Sequence, residues 1–319
     1  MKKIILYNPA LSTKNIGDEI IVESCKLELK EVLQNKFVID ISTHMPLNRE
    51  YLKRIDNVSL RIVLGSNLLL PDMKGKDDQW NIKLADVDVA GPVITMGVGW
   101  SKYEKEINEY TKRIYTKIFN KKYLHSVRDS YTEERLRSIG INNVINTGCV
   151  TLWKLTESHC KQIPEHKSKD VVCTLTDYSR AEKEDLELLN ILKENYENIY
   201  FWVQGSKDYE YITSLNFKGN IKFIGPSLSE YNELLKSNEN IDFVGTRLHG
   251  GIKALQNKKR TIIIGIDNRA IEMQKDFNIP VIKRENINEL SNMINSKFST
   301  DIKINEDNIK IWKEQFKES

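Results

Sequence analysis

The stretch Gly245-Thr246-Arg247-Leu248-His249-Gly250-Gly251 decides the fold. An apolar run, Ile241-Asp242-Phe243-Val244, precedes it. A helical pattern ending near Gln256 follows, and then a second apolar run over residues 261–265. Strand, tight turn, helix and strand in so short a span make a parallel βα unit, so the turn lies at the carboxyl end of a parallel strand. Open α/β sheets bind ligands at that edge. A guanidinium, an imidazole and the N–H groups of a helix N-terminus all favour an anion carrying phosphate or carboxylate. The plainer reading is a strand–helix turn with Gly for tight packing, Arg247 in an ion pair and His249 as a cap.

The same alternation extends in both directions. Strand candidates in the first half are residues 4–7, 37–41, 61–64, 93–98, 123–127 and 143–146. In the second half they are 171–175, 199–203, 221–224, 241–244, 261–264 and 281–282. Helical patterns lie between them, which predicts parallel sheets. A first helix is expected from Ile16 to about Leu33, with Ile16, Ile20 and Leu27 on one face. Ser130-x-x-Glu133 and Ser227-x-x-Glu230 read as capping boxes. Residues 154–169 are polar, carry Pro164 and show weak periodicity, so the interdomain linker is placed there. The expected organisation is an N-terminal Rossmann-like domain over 1–153, a linker over 154–169, a second Rossmann-like domain over 170–300 and a C-terminal helix within 301–319.

Composition narrows the function. The chain of 319 residues is 40% hydrophobic and 29% charged, with a net charge of +3. Acids and bases are interspersed, and no basic tract interleaved with aromatics points to nucleic acid. Pairs such as Lys121-Lys122 and Lys258-Lys259-Arg260 read as solvated faces. Cys25, Cys149, Cys160 and Cys173 lack metal-ligand spacing and read as packed, reduced thiols of a cytoplasmic protein. The apolar run after Met1-Lys2-Lys3 ends at Tyr7-Asn8-Pro9, too soon for a signal peptide, and reads as a first strand. No apolar run reaches membrane-spanning length. Neither a metal nor a cofactor is implied by the spacing of carboxylates and histidines.

Asn15-Ile-Gly-Asp18, Ser126-Val-Arg-Asp129 and Thr246-Arg-Leu-His249, with Gly148-Cys-Val-Thr-Leu-Trp153, Gly225-Pro-Ser227 and Asp267-Asn-Arg269, together resemble the polysaccharide pyruvyltransferase family, from Lys3 to about Arg284. The resemblance implies a fold of the GT-B type: two Rossmann-like domains facing a cleft, acceptor on the first and donor on the second, the C-terminal helix packing back across the junction. It implies transfer of pyruvate from phosphoenolpyruvate, the donor substrate, to two hydroxyls of a sugar. The product is a cyclic ketal on a cell-surface polysaccharide, capsule or exopolysaccharide, or on its lipid-linked precursor. The enzyme would then work in the cytoplasm, at the inner membrane face through its substrate.

The family's donor-contacting element maps onto Arg247, Leu248 and His249, and its mid-chain arginine onto Arg128. Arg suits either anionic group of phosphoenolpyruvate because it binds in bidentate fashion. Leu248 supplies a backbone N–H or packing. A near-neutral pKa suits His249 to proton delivery at the donor's methylene, or to binding the phosphate as a cation. Arg128 otherwise reads as a surface ion pair with Asp129 or Glu133. Asn15 and Gly17 start the first helix, where Asp18 is either a helix-dipole acid or a base for a sugar hydroxyl. Arg269 adds a third cation, or Asp267 caps a helix starting there. The Gly65-Ser66-Asn67 turn, where the family often has a glycine run, offers Ser66 and Asn67 as acceptor contacts; Val150 stands where a proline is usual. The rival readings are a GT-B nucleotide-sugar glycosyltransferase, with Asp267 or Glu272 on a ribose, and a non-catalytic anion-binding or sugar-phosphate-binding protein of a glycan assembly complex.

Overall fold

The computed structural model describes all residues except 75–78, 102, 104–105 and 318–319. The chain forms two α/β units. The first comprises Met1–Thr13, Ile21–Trp153 and Ile304–Ser319, the second Lys14–Ile20 and Lys154–Lys303.

In the first unit β1 (Lys3–Asn8), β2 (Phe37–Ser42), β3 (Val58–Leu64) and β4 (Ile94–Met96) form a parallel sheet ordered β2-β1-β3-β4. Two further parallel strands, β5 (His125–Val127) and β6 (Val144–Asn146), join it through a bridge between Val98 and Val127. One core cluster holds Ile4, Leu6, Ile62 and Met96 against Ile309, Trp312 and Phe316, so the C-terminal helix Glu306–Glu314 closes this unit. Its anchor is Trp312, fully buried, whose Nε1 donates to the Leu124 carbonyl at 3.0 Å.

The second unit carries β7 (Asp170–Thr174), β8 (Asn198–Trp202), β9 (Ile221–Ile224), β10 (Ile241–Gly245), β11 (Thr261–Gly265) and β12 (Val281–Lys283), all parallel. Read from β9, the order β9-β8-β7-β10-β11-β12 is the dinucleotide-fold order 3-2-1-4-5-6, with its switch point between β7 and β10. Every residue of β10 and β11 is buried. This is why these strands read as near-continuous apolar runs rather than alternating ones, Asp242 being the charged exception in β10.

Several local expectations need correction. The first helix is not continuous: Gly17–Glu28 ends at Leu29, and a separate turn, Lys30–Leu33, follows. Its buried apolar residues are Ile20, as expected, with Ile21, Val22 and Cys25, while Leu27 is exposed. The helix Ser130–Arg137 is capped by Asp129, whose carboxylate accepts from the Thr132 N–H at 2.8 Å, and not by Ser130. Glu133 instead pairs with Arg137. Ser227 does cap the helix Leu228–Ser237, but Glu230 reaches back to the Gly225 N–H. Lys259 and Arg260 are buried, not solvated: Arg260 pairs with Asp242 and donates to three carbonyls at the end of the helix Leu290–Asn295. Residues 154–169 contain the short helix Glu157–Cys160 and cluster with the second unit. So does Lys14–Ile20, because Ile16 donates to the Gln204 carbonyl and Ser206 to the Lys14 carbonyl, each at 3.0 Å. Among the described residues no helix is long and apolar enough to cross a membrane.

Candidate active site

In the second unit, the loops leaving β7 and β10 meet at the switch point. Gly245 lies so close to β7 that an added Cβ would press on the Thr174 backbone at 2.7 Å. Thr176 and Thr246 share a hydrogen bond at 2.8 Å, and the Arg247 N–H donates to Thr174 Oγ1 at 3.3 Å. The helix Leu248–Gln256 then starts. Its first turn holds Leu248 and His249, both buried. Gly250 and Gly251 let that helix sit against Phe243 and Ile263, within about the width of a methyl group.

Arg247 runs back under this edge. Its Nε donates to Asp208 at 3.1 Å and to the Leu175 carbonyl at 3.2 Å. Nη2 donates to Asp177 at 2.8 Å and also to Asp208. The guanidinium faces the Tyr178 ring at 5.1 Å. Its side chain is 2% exposed and that of Asp208 0%. Asp208 also accepts from the Gly205 N–H at 2.7 Å. Burial pushes the Asp208 carboxyl above its ordinary range, against the pull of Arg247. Arg247 is therefore a buried cation between two carboxylates.

The Asn15 turn belongs to the same unit. Asn15 Oδ1 accepts from the Gly17 N–H at 3.1 Å, an Asx turn that opens the first helix, and from Gln204 Nε2 at 2.8 Å. Gln204 is thereby wedged between Gly17 and Gly250, the openings of two helices. Asp18 sits buried in the first turn of its helix. Arg269 is bound by Asp267, which also caps the helix Asn268–Phe277. Arg269 Nη2 donates to the Tyr178 hydroxyl at 2.6 Å.

The remaining candidates lie in the first unit. Arg128 follows β5 and is buried, as is its partner Asp129 at 2.9 Å, so the pair is not the surface ion pair considered above. Arg128 Nη1 donates to Asn67 at 3.2 Å, and an added Cβ on Gly99 would overlap its guanidinium. Ser66, with φ of 60°, takes the left-handed conformation at the end of β3, a placement that clusters at functional turns. The structure thus brings Ser66, Asn67 and Arg128 together in one unit, and Asn15, Gly17, Asp18, Arg247, Leu248, His249 and Arg269 in the other. His125 is neutral, its pKa pushed down to about 4 by burial, and His159 bonds the Leu255 carbonyl at 2.8 Å.

Sequence reading missed Gln204, Asp208, Asp177 and Tyr178. Gly205 gives the packing a direct test. An added Cβ there would overlap Arg247 Nη2 and reach Asp208 Oδ1. Gly205→Ala is expected to lower stability by about 1–3 kcal/mol, read by urea unfolding. A stability equal to wild type would show that the guanidinium has room to shift.

A family model described as polysaccharide pyruvyl transferase matches residues 15–268. A search of curated proteins finds no match. Among solved structures, the S. aureus MnaA–UDP co-structure is similar at 12% identity and a TM-score of 0.57, covering 94% of this chain and 92% of that one. The N. meningitidis UDP-GlcNAc 2-epimerase bound to UDP-GlcNAc gives 14% identity, a TM-score of 0.43 and coverage of 94% and 95%. E. coli heptosyltransferase WaaC with ADP-2-deoxy-2-fluoro heptose gives 11%, 0.40, and 83% and 88%. The first of these shares the fold, a GT-B-like pair of parallel α/β units. With the match spanning residues 15–268 of 319 and taking in the Asn15 turn, Arg128, Arg247 and His249, the chain belongs to the polysaccharide pyruvyl transferase family.

Proposed function

We propose that the protein transfers the pyruvyl group of phosphoenolpyruvate to two hydroxyls of a sugar, forming a cyclic ketal and releasing phosphate. The sugar belongs to a cell-surface polysaccharide or its lipid-linked precursor, and the reaction takes place in the cytoplasm at the membrane face. The observation that carries the reading is Arg247 and His249 in adjoining turns at the β7–β10 switch point, within a matched family segment.

The chemistry assigns the roles. A proton added to the donor's methylene makes C2 electrophilic, and one sugar hydroxyl adds there. Phosphate leaves with the C–O electron pair, and the second hydroxyl closes the ring, each hydroxyl losing its proton. His249 delivers the proton or holds the phosphate. Arg247 binds an anionic group of the donor, with Leu248 packing beneath; Arg269 is a further cation near it, and Arg128 in the first unit a second anion-contacting arginine. Asp18 acts as base or orienting acceptor for a hydroxyl. Asn15, Gly17, Ser66 and Asn67 are acceptor or turn contacts.

Incubation with phosphoenolpyruvate and candidate glycans is expected to release phosphate and to raise the glycan's mass by that of pyruvic acid less one water, as ketal formation requires. Glycosyl transfer from a UDP-sugar, with no phosphate released from phosphoenolpyruvate, would replace this reading. Asp18 has its own test. As a base, Asp18→Asn leaves the thermal midpoint near wild type while turnover falls at least about a hundredfold. A loss of about 0.3–1 kcal/mol in stability with turnover intact would make it a helix-dipole acid only.

A further inference from the structure

The donor reading needs the Arg247 guanidinium, yet the structure covers it. Two carboxylates bind it, and they differ in kind. Asp208 is fully buried and held from several sides: it accepts from Arg247 Nε and Nη2, from the Gly205 N–H at 2.7 Å and from the Asp177 N–H at 3.2 Å. Its position is over-determined. Asp177 is 18% exposed and stands on the short turn Asp177–Ser179. Among the described residues its carboxylate is bonded to Arg247 Nη2 alone, at 2.8 Å.

The next residue completes the cover. The Tyr178 ring lies over the Arg247 guanidinium, and its hydroxyl accepts from Arg269 Nη2. One turn therefore masks two arginines. Charge gives the same direction. With both carboxylates on it, Arg247 is over-balanced and an added anion is repelled, whereas exchange of one carboxylate for another adds no negative charge around the guanidinium.

Resting on the reading that Arg247 contacts the donor, we propose that Asp208 positions Arg247 permanently while Asp177 holds the place of the donor's anionic group. On binding, that group takes Asp177's position on Nη2, and the Asp177–Tyr178 turn moves aside. The move uncovers Arg247 and Arg269 together. The anchors of the turn suit such a hinge. Thr176 is tied to Thr246 on one side, and on the other the Ser179 carbonyl accepts from Arg284 at 2.8 Å. An apparent affinity for a covered site is reduced by the fraction of molecules that are open. Removing the place-holder must then tighten binding, which a purely structural ion-pair partner would not do.

The test titrates phosphoenolpyruvate and, separately, inorganic phosphate by calorimetry into wild type, Asp177→Asn, Tyr178→Ala, Asp208→Asn and Arg247→Lys. Asp177→Asn is expected to bind phosphoenolpyruvate on the order of tenfold more tightly, with KM lowered and kcat little changed. Its thermal midpoint without ligand is expected at or below that of wild type, and its ligand-induced rise is expected to be larger. Tyr178→Ala, which removes the cover and keeps both carboxylates, tightens less. Asp208→Asn weakens binding at least about tenfold. Because Asp177 and Tyr178 lie on a partly exposed turn, their variants carry the test even if Asp208→Asn does not fold. Wild-type binding that is lost in Arg247→Lys but not tightened in Asp177→Asn overturns the place-holder and leaves the donor reading standing. Absence of binding of either probe to wild type overturns both.

Discussion

Replacing His249 with glutamine is expected to lower kcat by roughly 10²–10⁴-fold, with donor affinity changed only modestly. His249 sits in the first turn of the helix after Arg247, buried beside the β7–β10 switch point. Glutamine keeps a hydrogen-bonding end of similar reach but cannot deliver a proton near neutral pH. Steady-state kinetics with phosphoenolpyruvate and a competent glycan separate the two tasks given to the imidazole. A preserved kcat with a raised KM would make His249 a phosphate ligand, and the proton would then come from another group. Equal losses in kcat and kcat/KM would place its contribution in the transition state.

The second large effect is on stability. Arg247→Met removes the cation paired with Asp208, whose side chain is 0% exposed, and leaves a buried carboxylate with backbone N–H donors but no paired charge among the described residues. Such a removal costs about 3–5 kcal/mol. The loss has a definite pH dependence. Burial already raises the Asp208 carboxyl while Arg247 lowers it, so without Arg247 it rises further. A carboxyl whose pKa is higher folded than unfolded binds more protons in the folded state between the two values. Stability then falls as pH rises through that window and returns below it. The deficit relative to wild type is therefore expected in full at pH above the raised pKa and is expected to shrink on acidification toward the ordinary carboxylate range. Urea unfolding at several pH values measures it. The double variant Arg247→Met/Asp208→Asn is expected to recover part of the loss, because it removes the orphaned charge. A deficit that is flat with pH, or not relieved by the second change, would show that Asp208 is reached by water.

The strands were legible because parallel strands covered on both faces are apolar at nearly every position; β10, apart from Asp242, and β11 declare themselves with no pattern to phase. The strand–turn–helix setting of Arg247 and His249 followed from the same signal. Helix ends were less legible. Leu29 breaks the first helix with no Gly or Pro to mark the place, and Asp129 rather than Ser130 caps its helix, a shift of one residue between two good capping types. Least legible were the partners of Arg247. Asp208 and Asp177 lie 39 and 70 residues from it in sequence, and each is an ordinary acid in its local stretch. Gln204 and Tyr178 are similarly silent. Periodicity reports which face of an element is covered; it says nothing about which distant side chain will fill the space beside a given cation.

The route of the chain through its two units has a consequence for biosynthesis. It changes unit at Thr13/Lys14, Ile20/Ile21, Trp153/Lys154 and Lys303/Ile304. The core of the first unit includes Ile309, Trp312 and Phe316, so it lacks part of its filling until those residues have left the ribosome. The second unit, contiguous from Lys154 to Lys303 apart from the Lys14–Ile20 segment, reaches near-completeness first. Synthesis from the N-terminus thus holds the earlier-made sheet open, with Ile4, Leu6 and Ile62 waiting on partners of very large sequence separation. During that interval the nascent chain presents apolar strand faces to its neighbours.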